Sequence, residues 1–304
     1  MAGELVFLVN PASANGSTGK RWPEISRRAS AAGLEGEALV STRPGEIADL
    51  AERAVAEGAK TLVAVGGDGT VFEAVNGRMR AGGDAELAVL ARGTGKDFVQ
   101  SQGIPTDLDQ ALAVAREGAV RHVDLGRAAY TGEGGERVES FFGNFGGAGI
   151  SGAIARRANE TSKALGGRAS FIWATVAVFS RWRSEQVEIT AGDERREGRF
   201  FEILAMLGEY TAGGMRMAPG ASVDDGLFDV VLIGDVTKAD FARTFPKVYR
   251  GKHLSHPKIE LVRAPSVTVE AERPLPVALD GEQPGTTPVT FEVVPRALRL
   301  RVPR

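Results

Sequence analysis

The sequence predicts two domains: an α/β domain built on a parallel sheet, then a mostly β domain of antiparallel strands, with the change near residue 122. Three observations carry that reading. The chain has 304 residues, long for one core when a domain usually takes roughly 100–200. Its first third alternates apolar runs of strand length with helical patterns, the order that builds a parallel sheet with helices on its faces. Beyond residue 122 short alternating segments dominate, separated by turn residues, which is the pattern of an antiparallel sandwich.

In the first third the apolar runs are Leu5–Val9, Leu39–Ser41, Thr61–Val65 and Leu87–Leu90, and helical patterns cover 19–32, 45–57, 70–80 and 106–117. A parallel sheet binds ligands at the carboxyl ends of its strands. That directs attention to NPASANGSTGK, STRPG, GGDGT and ARGTGKD, each of which follows a predicted strand. In the second part VDLGRAAY, RVESFFGNF, EQVEIT, RFFEILAML, LFDVVLI, KIELVRA, SVTVEA, LPVALDG, VTFEVV and ALRLRV alternate as strands do, with helical stretches near 151–183 and 237–250. The expected domains are 1–122 and 123–295, with the segment 296–304 completing the first.

Composition removes several classes. There is no cysteine, so disulfides, thiolate metal sites and cysteine nucleophiles are excluded. Three histidines make a histidine-rich metal site a poor expectation, and a net charge of −2 argues against a nucleic-acid binder. The apolar run in MAGELVFLVNP is too short for a signal peptide or a membrane span, so a cytoplasmic protein, at most peripheral on a membrane, is expected.

VAVGGDGTVFEAVNG (63–77) is the most informative stretch. A buried strand runs into Gly66, Gly67, Asp68, Gly69 and Thr70, and a helix follows. Glycines let backbone approach a polyphosphate, and a helix N-terminus offers free N–H groups and a positive dipole end. Thr70 can cap the helix or donate to a phosphate. An acid at such a site needs a cation beside it, so Asp68 points to Mg²⁺. The plainer account, a tight turn with an ordinary cap, explains the glycines but not the acid. ARGTGKDFVQ (91–100) repeats the logic, with Gly93 and Thr94 as phosphate contacts and Asp97 as a second acid, against a simple helix-entry turn. NPASANGSTGK, which opens on Asn10, lacks the P-loop spacing and by itself reads as a loop.

GGDGT after a strand, an NP-containing loop upstream and a GT-x-x-DF turn downstream together resemble the diacylglycerol kinase catalytic domain family, and the resemblance runs over nearly the whole chain. It implies a Rossmann-like, phosphofructokinase-like N-terminal domain and a C-terminal β-sandwich, the NAD kinase/diacylglycerol kinase-like fold. It implies ATP and Mg²⁺ as cofactors and a lipid or lipid-like alcohol as acceptor; a homodimer would also suit it. Asn10, Thr42, Gly66–Thr70, Gly93 and Thr94 would then hold the nucleotide. Asp68, Asp97 and Asp124 would join a Mg²⁺–water network. APGASVDDGLFDVVLI (218–233) resembles the family's structural Mg²⁺ segment, which would take the Asp225 carboxylate and the main-chain carbonyls of Ser222 and Leu227. VALDGEQP (277–284) resembles the family's D-G-E sequence, making Glu282 the general base, with Asp280 in support and Asp68 also in the catalytic set. Read without the resemblance, both segments are Asp-Gly turns. The sequence departs from the family at Lys96 and Phe72, where Asn is common.

An NAD kinase shares GGDGT but should carry an adjacent Asn-Glu pair, and Asn76 and Glu73 are not adjacent. A kinase of a soluble alcohol and a non-catalytic nucleotide sensor remain alternatives. Two stretches without acids, 161–184 and 241–259, mix basic and aromatic residues in the way of a lipid-docking surface, or of a core with a solvated basic face.

Overall fold

The computed structural model describes residues 4–93, 95–165, 175 and 177–304. Chain contacts define two compact units, Met1–Val123 with Arg296–Arg304, and Asp124–Pro295.

The first unit runs β1 (Leu5–Val9), α1 (Ser17–Ala31), β2 (Glu37–Val40), α2 (Glu46–Ala56), β3 (Thr61–Gly66), α3 (Asp68–Ala81), β4 (Glu86–Ala91), α4 (Asp97–Ser101) and α5 (Leu108–Glu117). The strands lie in the order β2-β1-β3-β4 and all pair in parallel. The chain's last residues add a further parallel strand, with Leu300 opposite Leu87. Side chains of a strand alternate between its faces. Phe7, Val9, Val63, Val65, Ala88 and Leu90 accordingly share one face and pack on Ile25 and Ala29 of α1 and Leu108, Ala111 and Leu112 of α5. The opposite face carries α2 and α3. These two helices approach so closely that a Cβ on Gly77 would lie 2.0 Å from the Ala48 carbonyl oxygen.

β2 is the weakest strand, with no fully buried residue, as its place at the sheet edge demands. It spans 37–40 where 39–41 was expected, because Ser41 already turns into the loop while its N–H still bonds the Val9 carbonyl at 2.9 Å. α1 starts earlier than residue 19 because Ala14, Asn15 and Gly16 are all left-handed (φ 52, 55 and 81) and swing the chain straight into Ser17. The five-residue α4 is too short for a periodic pattern to announce.

The second unit is antiparallel. Its strands are β5 (Ala119–Thr131, begun in the first unit), β6 (Arg137–Phe142), β7 (Phe145–Gly149), β8 (Glu185–Ala191), β9 (Glu194–Met206), β10 (Tyr210–Thr211), β11 (Met215–Arg216), β12 (Phe228–Gly234), β13 (Ile259–Ala264), β14 (Ser266–Ala271), β15 (Pro276–Leu279) and β16 (Glu282–Val302). Helix α6 (Ile150–Leu165) follows β7, and α7 (Lys238–Val248) follows β12. The path β13-β12-β9-β7-β15-β16 is joined by β8 and β14, which pair with β9 and β16. Phe142 anchors the core, stacked on Phe228 and edge-on to Phe291, each at 5.8 Å between centroids. No helix among the described residues is long and apolar enough to cross a membrane.

Candidate functional site

In the first unit four loops leave the carboxyl ends of the parallel strands side by side. Main-chain bonds extend the ladder past the strands: Asn10 N to Val65 O at 3.1 Å, Ser41 N to Val9 O at 2.9 Å and Arg92 N to Gly66 O at 2.6 Å. The loops are further tied by side chains. Asn10 Nδ2 donates to Thr70 Oγ1 at 3.1 Å, and its Oδ1 accepts from Ala12 N at 3.1 Å. Thr70 is buried, so its hydroxyl is committed to a fixed place in the loop.

The glycines are required by contact. A Cβ on Gly66 would sit 2.1 Å from Thr70 Oγ1, and one on Gly93 would sit 2.6 Å from Gly67 Cα. The GGDGT and RGTG loops therefore touch backbone to backbone. Asp68 locks them, accepting from Lys96 N at 2.8 Å and Phe98 N at 3.3 Å. A Cβ on Gly95 would meet the same carboxylate at 2.0 Å. Asp68 thus has a structural partner set that the sequence did not reveal. Lys96 pays for the close turn with φ 131, a conformation L side chains rarely adopt. The resulting cleft is lined by Gly66, Gly67, Asp68, Gly93 and Lys96 above an apolar base of Val71, Val89, Ala91 and Val99. Thr94 lies outside the described residues. Asp97 opens α4, on the loop that Asp68 holds.

Thr42 follows β2, and its hydroxyl donates to Glu46 Oε2 at 2.9 Å. The bonds from Thr42 N–H and hydroxyl hold the Glu46 carboxyl below its usual range. Glu73, one turn into α3, accepts from Gly45 N at 3.3 Å and Ile47 N at 3.0 Å. Two acids that sequence reasoning passed over therefore fix the Thr42 loop; their only signal was an acid in or opposite a helix's first turn.

In the second unit Asp124 is buried and meets the Asp-Asp-Gly turn. Its N–H donates to Val223 O at 2.8 Å, and its Oδ2 accepts from Gly226 N at 2.7 Å. The structure thus brings Asp124 to the residues read as a structural Mg²⁺ segment. Within that turn Ser222 Oγ donates to Asp224 Oδ1 at 2.9 Å and Leu227 N to Asp225 Oδ1 at 3.1 Å. Asp225 also pairs with Arg263, whose Nε lies 3.7 Å from Asp229 Oδ1. Burial raises the Asp229 carboxyl, with Arg263 pulling it the other way. The donors fit a hard divalent cation: a carboxylate offers about four lone-pair sites, and the turn adds carbonyl oxygens. Among the described residues no group of three carboxylates or histidines forms a ready metal cage, so water would have to complete any such shell.

Asp280 is left-handed (φ 47) in the turn between β15 and β16. Its carboxylate accepts from Gly143 N (2.7 Å), Asn144 N (2.9 Å) and Phe145 N (2.8 Å), fastening the turn to the start of β7. Glu282, half-buried, is the first residue of β16 and pairs with Leu279 across the turn. Asn144, missed in the sequence, donates to Tyr210 O at 2.6 Å and keeps a buried Oδ1 with no hydrogen-bond partner among the described residues. Of the basic-aromatic stretch 161–184, Arg168, Phe171 and Trp173 lie outside the described residues.

The chain is similar to known proteins over both units. A diacylglycerol kinase catalytic domain model matches residues 4–128, and a YegS C-terminal NAD kinase β-sandwich-like domain model matches 146–302. The Pseudomonas aeruginosa protein named "Probable lipid kinase YegS-like" is 34% identical over 272 residues, 90% of this chain and 86% of that protein. A diacylglycerol kinase of Bacillus subtilis is 26% identical over 98% of this chain and 96% of its own. The crystal structure of a candidate diacylglycerol kinase from Bacillus anthracis superposes with a TM-score of 0.76 at 25% identity, covering 98% of this chain and 96% of that one. The chain belongs to the diacylglycerol kinase catalytic-domain family, a family of lipid kinases, and its class is therefore that of a phosphotransferase.

Proposed function

We propose that this protein transfers the γ-phosphoryl group of ATP, in the presence of Mg²⁺, to a hydroxyl of diacylglycerol or a related lipid alcohol. The observation that carries the reading is the pair of glycine loops in contact at the carboxyl ends of β3 and β4, cross-linked by Asp68. Backbone without side chains lets polyphosphate approach, and the N-terminus of the fourteen-residue α3 faces it with free N–H groups. Asn10 and Thr70 hold the loop edge, and in this reading the Glu46-braced Thr42 loop meets the adenine nucleotide, a role that rests on resemblance to the family.

Mg²⁺, when bound, would neutralise phosphate charge, with Asp68 and Asp97 as its nearest candidate acids. Phosphoryl transfer relies on positioning and charge stabilisation, so rigid loops are the chain's main contribution. Glu282 is the general base in this reading. It accepts the proton of the lipid hydroxyl as the hydroxyl oxygen bonds phosphorus and the bond from phosphorus to the bridging ADP oxygen breaks. Its role rests on the match of Asp280-Gly281-Glu282 to the family, and Asp280's three N–H bonds give it a fixed turn to stand on.

The test is label transfer from γ-labelled ATP to a panel of lipid alcohols in mixed micelles, beside Glu282→Ala. Labelled lipid with wild type, reduced by about a thousandfold in the variant, is the expected result. ATP binding without any labelled lipid would move the assignment to a soluble acceptor or a sensor, and no ATP binding would end it.

A further inference from the structure

Helix α7 carries an arrangement that the kinase chemistry does not use. Its buried side is Thr244 and Val248, flanked by half-buried Phe241 and Phe245. The aromatics form a continuous row: Phe179 stacks on Phe241 at 4.0 Å, Phe241 on Phe245 at 5.1 Å, and Phe245 meets Tyr249 edge-on at 6.1 Å. The row runs from half-buried rings to the surface, where Tyr249 is 49% exposed, one of three large hydrophobic residues so exposed among those described.

At about 100° per residue, Ala242, Pro246, Arg243 and Lys247 follow one another round the helix, and Tyr249 and Arg250 lie just past its end, all exposed. Lys252, just beyond, is exposed as well. None of these four cations is paired with an acid among the described residues. Several arginines elsewhere on this unit are paired: Arg195 with Glu188, Arg196 with Glu260, Arg216 with Glu209. The helix's own acid, Asp240, is turned away into a capping box with Thr237 and an ion pair with Lys258 at 3.6 Å.

We propose that the outer face of α7, with Tyr249 at its rim and Arg243, Lys247, Arg250 and Lys252 as its charges, docks the protein on an anionic phospholipid bilayer. Charge complementarity selects the occupant: unpaired cations are attracted by the negative potential of anionic lipid, and an aromatic edge next to them suits the headgroup level. A Lys238 clamp gives the face rigidity, its ammonium reaching the Trp182 carbonyl at 2.7 Å and lying 4.3 Å from the Phe179 ring centroid. The inference deepens the lipid-acceptor reading and rests on it for the choice of a membrane, yet its test needs no turnover.

The full chain would be sedimented with phosphatidylcholine vesicles with and without phosphatidylglycerol, at low and high salt. Wild type should pellet with the anionic vesicles only, and salt should release it. The combined Arg243→Ala, Lys247→Ala, Arg250→Ala, Lys252→Ala variant should bind several hundredfold more weakly, since each of the four lost cations near the surface is worth about fivefold. Tyr249→Ala should weaken binding less. Both variants should keep wild-type label transfer in detergent micelles, which also shows that they fold. Equal pelleting on neutral and anionic vesicles, or an unchanged quadruple variant, overturns the proposal. So does a wild type that transfers label in micelles but ignores vesicles, the result expected if the face is made for an acidic protein. Charge-dependent pelleting without label transfer to any lipid would instead retain the surface and remove the acceptor reading.

Discussion

Glu202 sits on β9, 2% exposed, and accepts from Ser151 N at 2.7 Å and Ser151 Oγ at 2.6 Å at the start of α6. Burial pushes its carboxyl up to about 7, although the Ser151 bonds lower it. Its folded pKa therefore lies above the unfolded value, and its stabilising effect is complete below about 4.5 and lost as pH rises to about 7. Glu202→Gln should remove that dependence and be more stable than wild type at pH 8 by roughly 1–3 kcal/mol, with little difference at pH 4.5. Urea unfolding at both pH values checks this; a difference independent of pH would show that Glu202 stays ionised. Arg263 supports a second prediction. Its loss leaves Asp225 beside the buried Asp229 without a cation, so Arg263→Ala should cost about 1 kcal/mol after allowing for its exposure. Mg²⁺ should restore more of the melting temperature in the variant than in wild type; equal shifts in EDTA and Mg²⁺ would remove the Asp225 metal reading. At this scale the sequence singled out acids without showing what they bond to. Asp68, Asp124 and Asp280 were all picked out as acids for metal or catalysis, and each accepts backbone N–H bonds that fasten one loop to another. Those donors lie 28 to 137 residues away in sequence, beyond any local pattern.

Elements were legible where burial has a period. β1, β3 and β4 each bury four or five consecutive residues between helix layers, and a continuous apolar run is what a covered parallel strand requires. β16 was read as separate pieces because Pro284, Pro288 and Pro295 interrupt its alternation, yet it continues from 282 to 302. The site's loops were legible as glycine motifs, but not their mutual contact, which depends on β3 and β4 being neighbours. That contact makes a prediction about elements. Gly93→Ala drives a Cβ to 2.6 Å from Gly67 Cα, backbone against backbone, so the two loops must separate. Nucleotide affinity should fall by about tenfold or more, equivalent to about 1.4 kcal/mol. Asn10→Ala removes the side-chain bonds to Thr70 and from Ala12 N, at about 1 kcal/mol each, without forcing backbone apart, and should weaken binding less. Titration with a fluorescent ATP analogue ranks the two, and the reverse order would mean that Asn10 touches the nucleotide and the glycine contact does not control the cleft.

For the chain as a whole, the residues that matter most to the first unit come last. Arg296 is left-handed (φ 54) after Pro295, and from there the chain runs as a parallel strand beside β4. Leu298 and Leu300 are fully buried and Val302 nearly so. The strand is bonded along its length. Buried Arg78 of α3 donates to Ala297 O at 2.8 Å as well as to Ala85 O at 2.9 Å, while Arg299 and Arg301 reach the two oxygens of Glu86 at 2.8 and 2.6 Å. The alternation of Leu298, Leu300 and Val302 announces a half-buried strand, but nothing in it names the sheet that receives it, because β4 is more than 200 residues upstream. Deleting 296–304 would expose the edge of β4, strip three buried side chains worth roughly 1.5–3 kcal/mol each, and leave the Arg78 guanidinium buried with one partner fewer. That sum is comparable to the whole stability of a typical domain. The truncated chain should lose ATP binding and show unprotected amides through β1, β3 and β4 in hydrogen exchange, while β9 and β12, with their own core around Phe142 and Phe228, stay protected. Full protection of β1, β3 and β4 after the deletion would mean that the four remaining strands suffice and that the terminal strand is only an edge.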